Sequence, residues 1–279
     1  MPWLLYRAYF ALPKAIVDGE GRPVNALLGT VNALLSAIEA RPPRAVAACL
    51  GAEQAAYRVE LYPGYHAQRD PMPPELAWQW ELAPRLLGSL GWTVEESEDL
   101  EADDVMFSLA RGEAEAGGRS LLLTGDRDLF QAVDEHTAIL ELRKDSKPQE
   151  IGPRQVRERY GIDPTLVTDF IALRGDPSDG LPGAPGIGAK TAAELLRRHG
   201  SLEGALNAVR SSPTSERPRI VAALTENAGQ LRDFRRIATL VPIDVQHPPD
   251  RATDFAAGAE MAGELGMRRL AGRLNTLAA

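Results

Sequence analysis

The chain has 279 residues, of which 44% are hydrophobic, a formal net charge of −8 and one cysteine. That length can bury a full core and suits one large domain or two smaller ones. A single thiol, Cys49, excludes an internal disulfide and fits a reducing cytoplasm. The net charge argues against a nucleic-acid partner unless the acids are gathered around bound cations, which would invert the local field.

In chain order, residues 4–12 and 24–38 read as helices, with a break at Arg41-Pro-Pro43. Residues 44–50 form a short buried strand containing Cys49. The proline-containing, aromatic stretch 57–74 reads as an irregular surface segment, and 75–90 is helical again. A short strand at 93–96 precedes a helix from 101 to 111 that Gly112 is expected to end. Apolar strands follow at 120–124 and 137–142. This alternation predicts an α/β fold with a mostly parallel central sheet, whose ligands sit beyond the carboxyl ends of the strands. After Gly152 the strand signals fade, and helices are expected at 153–160, 164–174, 189–199, 202–209 and 217–237. The expected division is an α/β core over 1–150 and a helical region over 151–279. No membrane-spanning run and no signal-peptide pattern is present, so a cytoplasmic location is expected.

Seven carboxylates fall in three groups at the edges of apolar runs. Glu101 and Asp104 lie three apart on one helix face, while Asp103 points elsewhere unless the first turn is irregular; acids in a first helical turn also complement the helix dipole. Asp126 and Asp128 follow the strand at 120–124 and, two apart, project to one side. A cap on the helix expected from Leu129 accounts for one of them and not for both. Asp176 and Asp179 run straight into Leu181-Pro-Gly-Ala-Pro-Gly-Ile-Gly-Ala-Lys190. There Gly183, Gly186 and Gly188 permit a tight turn and close backbone approach. Free N–H groups at the following helix start, with Lys190 and Thr191, would face a phosphate. A ligand-free αα-hairpin is the alternative. Hard divalent cations take oxygen ligands, and two of them about 4 Å apart suit phosphodiester hydrolysis. The arginine groups at 154, 157 and 159, at 197 and 198, at 232, 235 and 236, and at 268, 269 and 273 are read as solvated helix faces.

With these motifs the chain resembles the 5′-nuclease superfamily, which includes bacterial flap endonucleases and the 5′→3′ exonuclease domain of DNA polymerase I. The resemblance runs from Leu4-Leu-Tyr-Arg-Ala-Tyr-Phe10 to about residue 240. It is carried by Glu-Ala-Asp-Asp at 101–104, Thr-Gly-Asp-Arg-Asp at 124–128 and Gly-Asp-Pro-Ser-Asp-Gly-Leu-Pro-Gly at 175–183. It implies a PIN-like, resolvase-like nuclease core, a helical arch over about 57–90 that begins at Tyr62-Pro-Gly-Tyr-His-Ala-Gln-Arg69, and a helix–three-turn–helix, a helix-hairpin-helix-like element, over about 168–200. It implies two Mg²⁺ or Mn²⁺ ions, with Glu101 and Asp103 serving the first and Asp126, Asp128 and Asp176 or Asp179 the second. Asp104 would stand behind the ligands. Arg7 and Arg69 would touch the scissile or a neighbouring phosphate. Tyr65 would stack on a base or shape the arch, beside His66. Gly183, Gly186, Gly188, Lys190 and Thr191 would hold the duplex, with a K⁺ ion at the hairpin. The implied partner is DNA with 5′ ends or flaps and adjacent duplex, in replication and repair, at the nucleoid; nothing points to a membrane or an obligate protein partner.

Three departures accompany the resemblance. The family's first strand, which ends in a metal-binding Asp, has no counterpart before Leu4, Gly51 stands where a second Asp is expected, and His66 replaces an arch Lys. Glu53 is a candidate substitute for the Asp missing at Gly51. One expectation is a start site assigned too late, since a central strand would otherwise be missing. The other is a weakened member that binds branched DNA. A ribonuclease of the related PIN-like fold is a further alternative.

Overall fold

The computed structural model describes residues 1–142, 148–214 and 216–279. Helix α1 covers Pro2–Ala11 and α2 Asn25–Ala40; strand β1 is Ala47–Gly51. The stretch expected to be irregular holds helix α3, Ala56–Leu61, because Val59, Leu61 and Tyr62 pack on a core. Helix α4, Pro74–Ser89, and strand β2, Thr93–Ser97, follow. Helix α5, Ala102–Glu115, runs through Gly112 and leaves the helical path only at Gly117, at φ +81°. A helical glycine inside a well-packed helix costs about 1 kcal/mol, and packing overrides it here. Strand β3 is Ser120–Leu123. It is followed by a 3₁₀ turn at Asp128–Ala132, β4 at Thr137–Glu141, and β5 at Gln149–Ile151, too short to leave a periodic signal.

The helical run matches expectation closely: α6 is Pro153–Tyr160, a 3₁₀ turn at Pro164–Leu166 leads into α7, Val167–Arg174, and α8 is Ala189–His199. Helix α9 is Leu202–Ser211. The single helix expected over 217–237 is two, α10 at Pro218–Glu226 and α11 at Ala228–Ala238, broken at Asn227. Helices α12, Phe255–Glu264, and α13, Arg268–Ala278, lie beyond the last helix expected; the Ala/Gly-rich sequence of α12 masks its apolar face. Among the described residues no helix is long and apolar enough to cross a membrane.

Parallel pairing is present as expected, but the strands divide into two sheets. One is β1 with β2, parallel; the other is β3–β4–β5, with β3 and β4 parallel and β5 antiparallel to β4. By packing, the chain forms two interleaved compact units. The first comprises Met1–Ala52, Asp70–Glu98 and Asp244–Ala279; the second comprises Glu53–Arg69 and Asp99–Ile243.

The first unit holds the β1–β2 pair and α1, α2, α4, α12 and α13. Helix α2 has no side-chain cap of its own. Its cap comes from α4. The Oε1 of Gln79, fully buried, accepts from the N–H groups of Ala26 (2.7 Å) and Leu27 (3.3 Å), and its Nε2 donates to Asn25 Oδ1 at 3.2 Å. Asn25 Nδ2 in turn donates to the carbonyls of Tyr9 and Leu12, closing the end of α1. The second unit packs Leu129, Ile139, Ile151, Val156, Leu196 and Phe234 into one core. Asp169 on α7 accepts from Leu202 N–H at the start of α9 (2.9 Å) and pairs with Arg235 on α11 (2.7 Å), tying three helices together.

Gln79→Met keeps volume and removes the acceptor for two buried N–H groups. It is expected to destabilise the protein by about 2–4 kcal/mol, since each stranded donor costs about 1–3 kcal/mol. Urea unfolding of the two proteins measures this.

Candidate active site

The second unit contains all three carboxylate groups. At the start of α5, Glu101 is the N-cap residue in a capping box with Asp104, whose Oδ2 accepts from Glu101 N–H at 3.2 Å. Beneath them lies Arg58 from α3, only 2% exposed. Its Nη1 pairs with Glu101 Oε1 at 2.9 Å, its Nη2 with Asp104 Oδ1 at 2.8 Å, and its Nε donates to Ile237 O at 3.0 Å. Burial alone would lower the Arg58 pKa; Glu101 and Asp104 outweigh it and hold the guanidinium charged. Asp104 is fully buried and also accepts from Val241 N–H at 2.8 Å. Glu101 further accepts from Ala55 N–H and from the Tyr65 hydroxyl, each at 3.0 Å. Burial, then the charge of Glu101, pushes the Tyr65 phenol well up.

The second group grows from the end of β3. Thr124 Oγ1 accepts from Asp126 N–H, and Asp126 Oδ1 accepts from Asp128 N–H, both at 3.0 Å, so each residue fixes the turn for the next. The third follows α7. Asp176 and Leu181 exchange two backbone hydrogen bonds of 2.8 Å. The Asp176 carboxylate accepts from Ser178 and from Arg174 Nη2 at 3.1 Å. Asp179 accepts from Arg69 Nη2 at 3.0 Å and lies 3.1 Å from His66 Nε2; its carbonyl accepts from His66 N–H. Gly180 makes that approach feasible, because a Cβ there would stand 2.5 Å from Gly64 O. His66 itself adopts φ +54°, an uncommon conformation for a side-chain-bearing residue.

The acids of the three groups act on one another's carboxyls. Burial, then Asp126, then Glu101 and Asp104, pushes the Asp103 carboxyl well above its ordinary range. Burial raises Asp126, helped by Asp179 and Asp176 and opposed by the Asp128 N–H. Burial, then Asp126, Asp179 and Asp176, pushes Asp128 well up, and its neutral form donates a hydrogen bond to Asp179. Burial also acts to raise Asp179, but His66, Arg69 and that bond from Asp128 bring it below its ordinary value.

Among the described residues, no group of three or more His, Cys, Asp or Glu side chains stands ready as a metal cage. The donor chemistry nonetheless fits a hard cation in part. Asp103, Asp126 and Asp128 form no salt bridge among the described residues and are partly exposed, and Asp126 repels each of the other two. Glu101, Asp104, Asp176 and Asp179 are each paired with an arginine. Glu53 is exposed, and Gly51, at the end of β1, offers no side-chain oxygen.

The remaining expected residues are placed as follows. Arg7 is exposed on α1 in the first unit, its guanidinium 5.7 Å from the Trp3 ring centroid. Tyr65 and His66, expected at DNA, are buried and stacked on each other with ring centroids 3.8 Å apart, because their polar atoms are drawn to Glu101 and Asp179. Gly183 and Gly186 adopt φ +67° and +75°. A Cβ at Gly183 would stand 2.3 Å from Gly175 N, so the hairpin closes on the end of α7 only with glycine there. Gly188 has an ordinary φ of −88° and open space around it, so its conformation does not demand glycine. Lys190 is exposed and Thr191 half-buried in the first turn of α8, which has no side-chain cap. Sequence reasoning missed Arg58, whose only signal was an arginine inside the apolar stripe of α3.

A family profile for the 5′-3′ exonuclease N-terminal resolvase-like domain matches residues 2–161, and one for the 5′-3′ exonuclease C-terminal SAM fold matches 162–255. The chain belongs to the 5′-3′ exonuclease family. A 5′-3′ exonuclease of Mycobacterium tuberculosis is 34% identical over 287 residues, covering 94% of this chain and 90% of that protein. The thermostable DNA polymerase I of Thermus thermophilus is 38% identical over 252 residues; the match takes in 90% of this chain but 30% of the polymerase. Among solved structures, the T5 D15 protein co-crystallized with metal ions aligns with TM-score 0.64 at 16% identity over 90% of both chains. The catalytic core of Rad2 in complex with DNA substrate aligns with TM-score 0.62 at 14% identity, over 97% of this chain and 89% of that one. These two likenesses establish the fold of a family member.

Two outcomes are expected. Arg58→Met leaves Glu101 and Asp104 without their buried cation and lowers stability by about 3–5 kcal/mol in chemical denaturation. Asp128→Asn stabilises the metal-free protein. A carboxyl whose folded pKa is raised disfavours folding above that pKa and has no such effect below the ordinary value of 3.8. The variant's gain in Tm is therefore largest at neutral to alkaline pH and fades on acidification.

Proposed function

We propose that the chain is a structure-selective 5′-3′ exonuclease and 5′-flap endonuclease that hydrolyses DNA phosphodiesters with two Mg²⁺ or Mn²⁺ ions. Membership of the family supports the reaction class. What carries the reading is that Asp126 raises the carboxyls of both Asp103 and Asp128, three acids from two stretches of chain that form no salt bridge among the described residues.

Asp103, Asp126 and Asp128 are the residues that would hold the cations, with Asp176 and Asp179 beside them. When bound, the cations supply the charge that activates water and stabilises the leaving oxygen. The chain supplies position. Arg58, Tyr65 and the Ala55 N–H fix Glu101 at the edge of the cluster. Arg69, half-exposed while its Nη2 holds Asp179, has donors left for a phosphate of the strand to be cut, and Arg7 is the second phosphate contact. The hairpin, with Lys190, Thr191 and the uncapped start of α8, is the proposed grip on the duplex backbone. Its carbonyls are the proposed K⁺ ligands.

A second reading, a weakened member that binds branched DNA, is favoured by the arginine pairing of Glu101, Asp176 and Asp179 and by Gly51. One experiment separates the two. A 5′-flap DNA is incubated with Mg²⁺ or Mn²⁺ and either the wild-type protein or an Asp126→Ala, Asp128→Ala double variant. Cleavage that falls more than about a hundredfold in the variant, beyond the 10–100-fold typical of residues behind the ligands, is expected. Equal rates would remove these aspartates from the mechanism. Salt-dependent binding with no cleavage at any metal concentration would establish the binder.

A further inference from the structure

Arg127 lies between Asp126 and Asp128 in sequence, yet among the described residues it pairs with neither, nor with any other acid. The reason is local. Asp126 turns its Oδ1 to the N–H of Asp128. Neither carboxylate forms a salt bridge with the guanidinium between them. Arg127 instead lines a shallow, open depression together with Arg174, Asp176, the aliphatic Val167 and Ile171, and the rings of Phe130, Tyr160 and Phe170. The three rings form a continuous wall, with centroids 5.6 Å apart from Phe130 to Tyr160 and 5.6 Å from Tyr160 to Phe170. Arg174 lies over the Phe170 ring at 5.4 Å.

The neighbouring cations are already engaged. Arg159 binds Glu141 through two contacts of 2.9 and 3.1 Å, and Arg174 neutralises Asp176 while donating to Gly175 O. With Asp176 balanced by Arg174, the Arg127 charge is the one left uncompensated in the hollow. Burial dominates the Tyr160 phenol and raises it, but Arg127, Arg159 and Arg174 all act in the opposite sense, which places the hydroxyl in a cationic field. A planar guanidinium with free donors beside an aromatic wall suits a phosphate with its attached sugar or base.

We propose that Arg127, backed by Arg174 and Tyr160, is a phosphate subsite for the bound DNA, taking a backbone phosphate next to the scissile one. The subsite rests on the nuclease reading above and extends it: Asp176 belongs both to the hollow and to the carboxylate cluster, so a strand passing the cluster brings its neighbouring phosphate to Arg127. The chain thereby places an anion-binding group directly beside acids that would repel DNA.

The test is equilibrium binding of a labelled 5′-flap DNA, in EDTA so that no strand is cut, over about 50–200 mM salt. Arg127→Ala is expected to raise Kd about tenfold and to reduce the slope of log K against log salt by about 0.9, the value for one phosphate contact. Arg127→Lys should keep the slope and recover part of the affinity. Arg127 is exposed, so all variants should melt with the wild type, and Arg154→Ala, which removes an exposed α6 arginine paired with Glu158 at 3.5 Å, should leave both quantities unchanged. If the wild type binds the flap and Arg127→Ala matches it in Kd and slope, the subsite is wrong and the nuclease reading stands. If the wild type has no affinity for the flap either in EDTA or with Ca²⁺ replacing EDTA, both fall.

Discussion

One buried guanidinium organises the second unit. Arg58 reaches Glu101, Asp104 and the Ile237 carbonyl at once, each at 3.0 Å or less. It thereby joins α3, the start of α5 and the end of α11. A buried ion pair of this kind adds little net stability, because desolvation offsets most of the attraction, but it is costly to break and it selects one arrangement. Here the selected arrangement is an acid-lined surface. Both acids of the Glu101–Asp104 group are held by that one guanidinium.

That constraint sorts the acids into two kinds. Glu101, Asp104, Asp176 and Asp179 have arginine partners and act as framework. Asp103, Asp126 and Asp128 have no such partner among the described residues, and burial together with neighbouring acids raises all three above the ordinary carboxyl range. A fold that holds like charges together against their repulsion carries a stability cost, a pattern that belongs to working sites more than to framework. The same division gives Arg127 its character. Its flanking aspartates are turned into the cluster, and the guanidinium is left facing the hollow.

Much of the site was legible because its chemistry is local. Asp126 and Asp128 stand at a strand end, and the hairpin needs glycine at 183 for backbone closure. Helix α8 carries its start and stop signals in sequence and has the bounds expected, Ala189–His199. The failures were of another kind. Gly112 breaks nothing, because packing of α5 outweighs its intrinsic cost. The stretch 57–74 looked like surface, yet it delivers Arg58, Tyr65 and His66 to the interior. Polar residues read as exposed until their partners, Glu101, Asp104 and Asp179, are brought to them from more than thirty positions away.

The sequence by itself determined the family, the α/β class with a helical second half, and the identities of the acids, since each rests on spacing within a few residues. Only the tertiary structure decided which acids are neutralised, that Gln79 caps a helix it does not belong to, that Tyr65 and His66 face inward, and that Arg127 is left without an acid partner among the described residues. Those outcomes depend on distances between segments far apart in the chain. Coulomb energy and hydrogen bonding act on such distances, and sequence separation does not encode them.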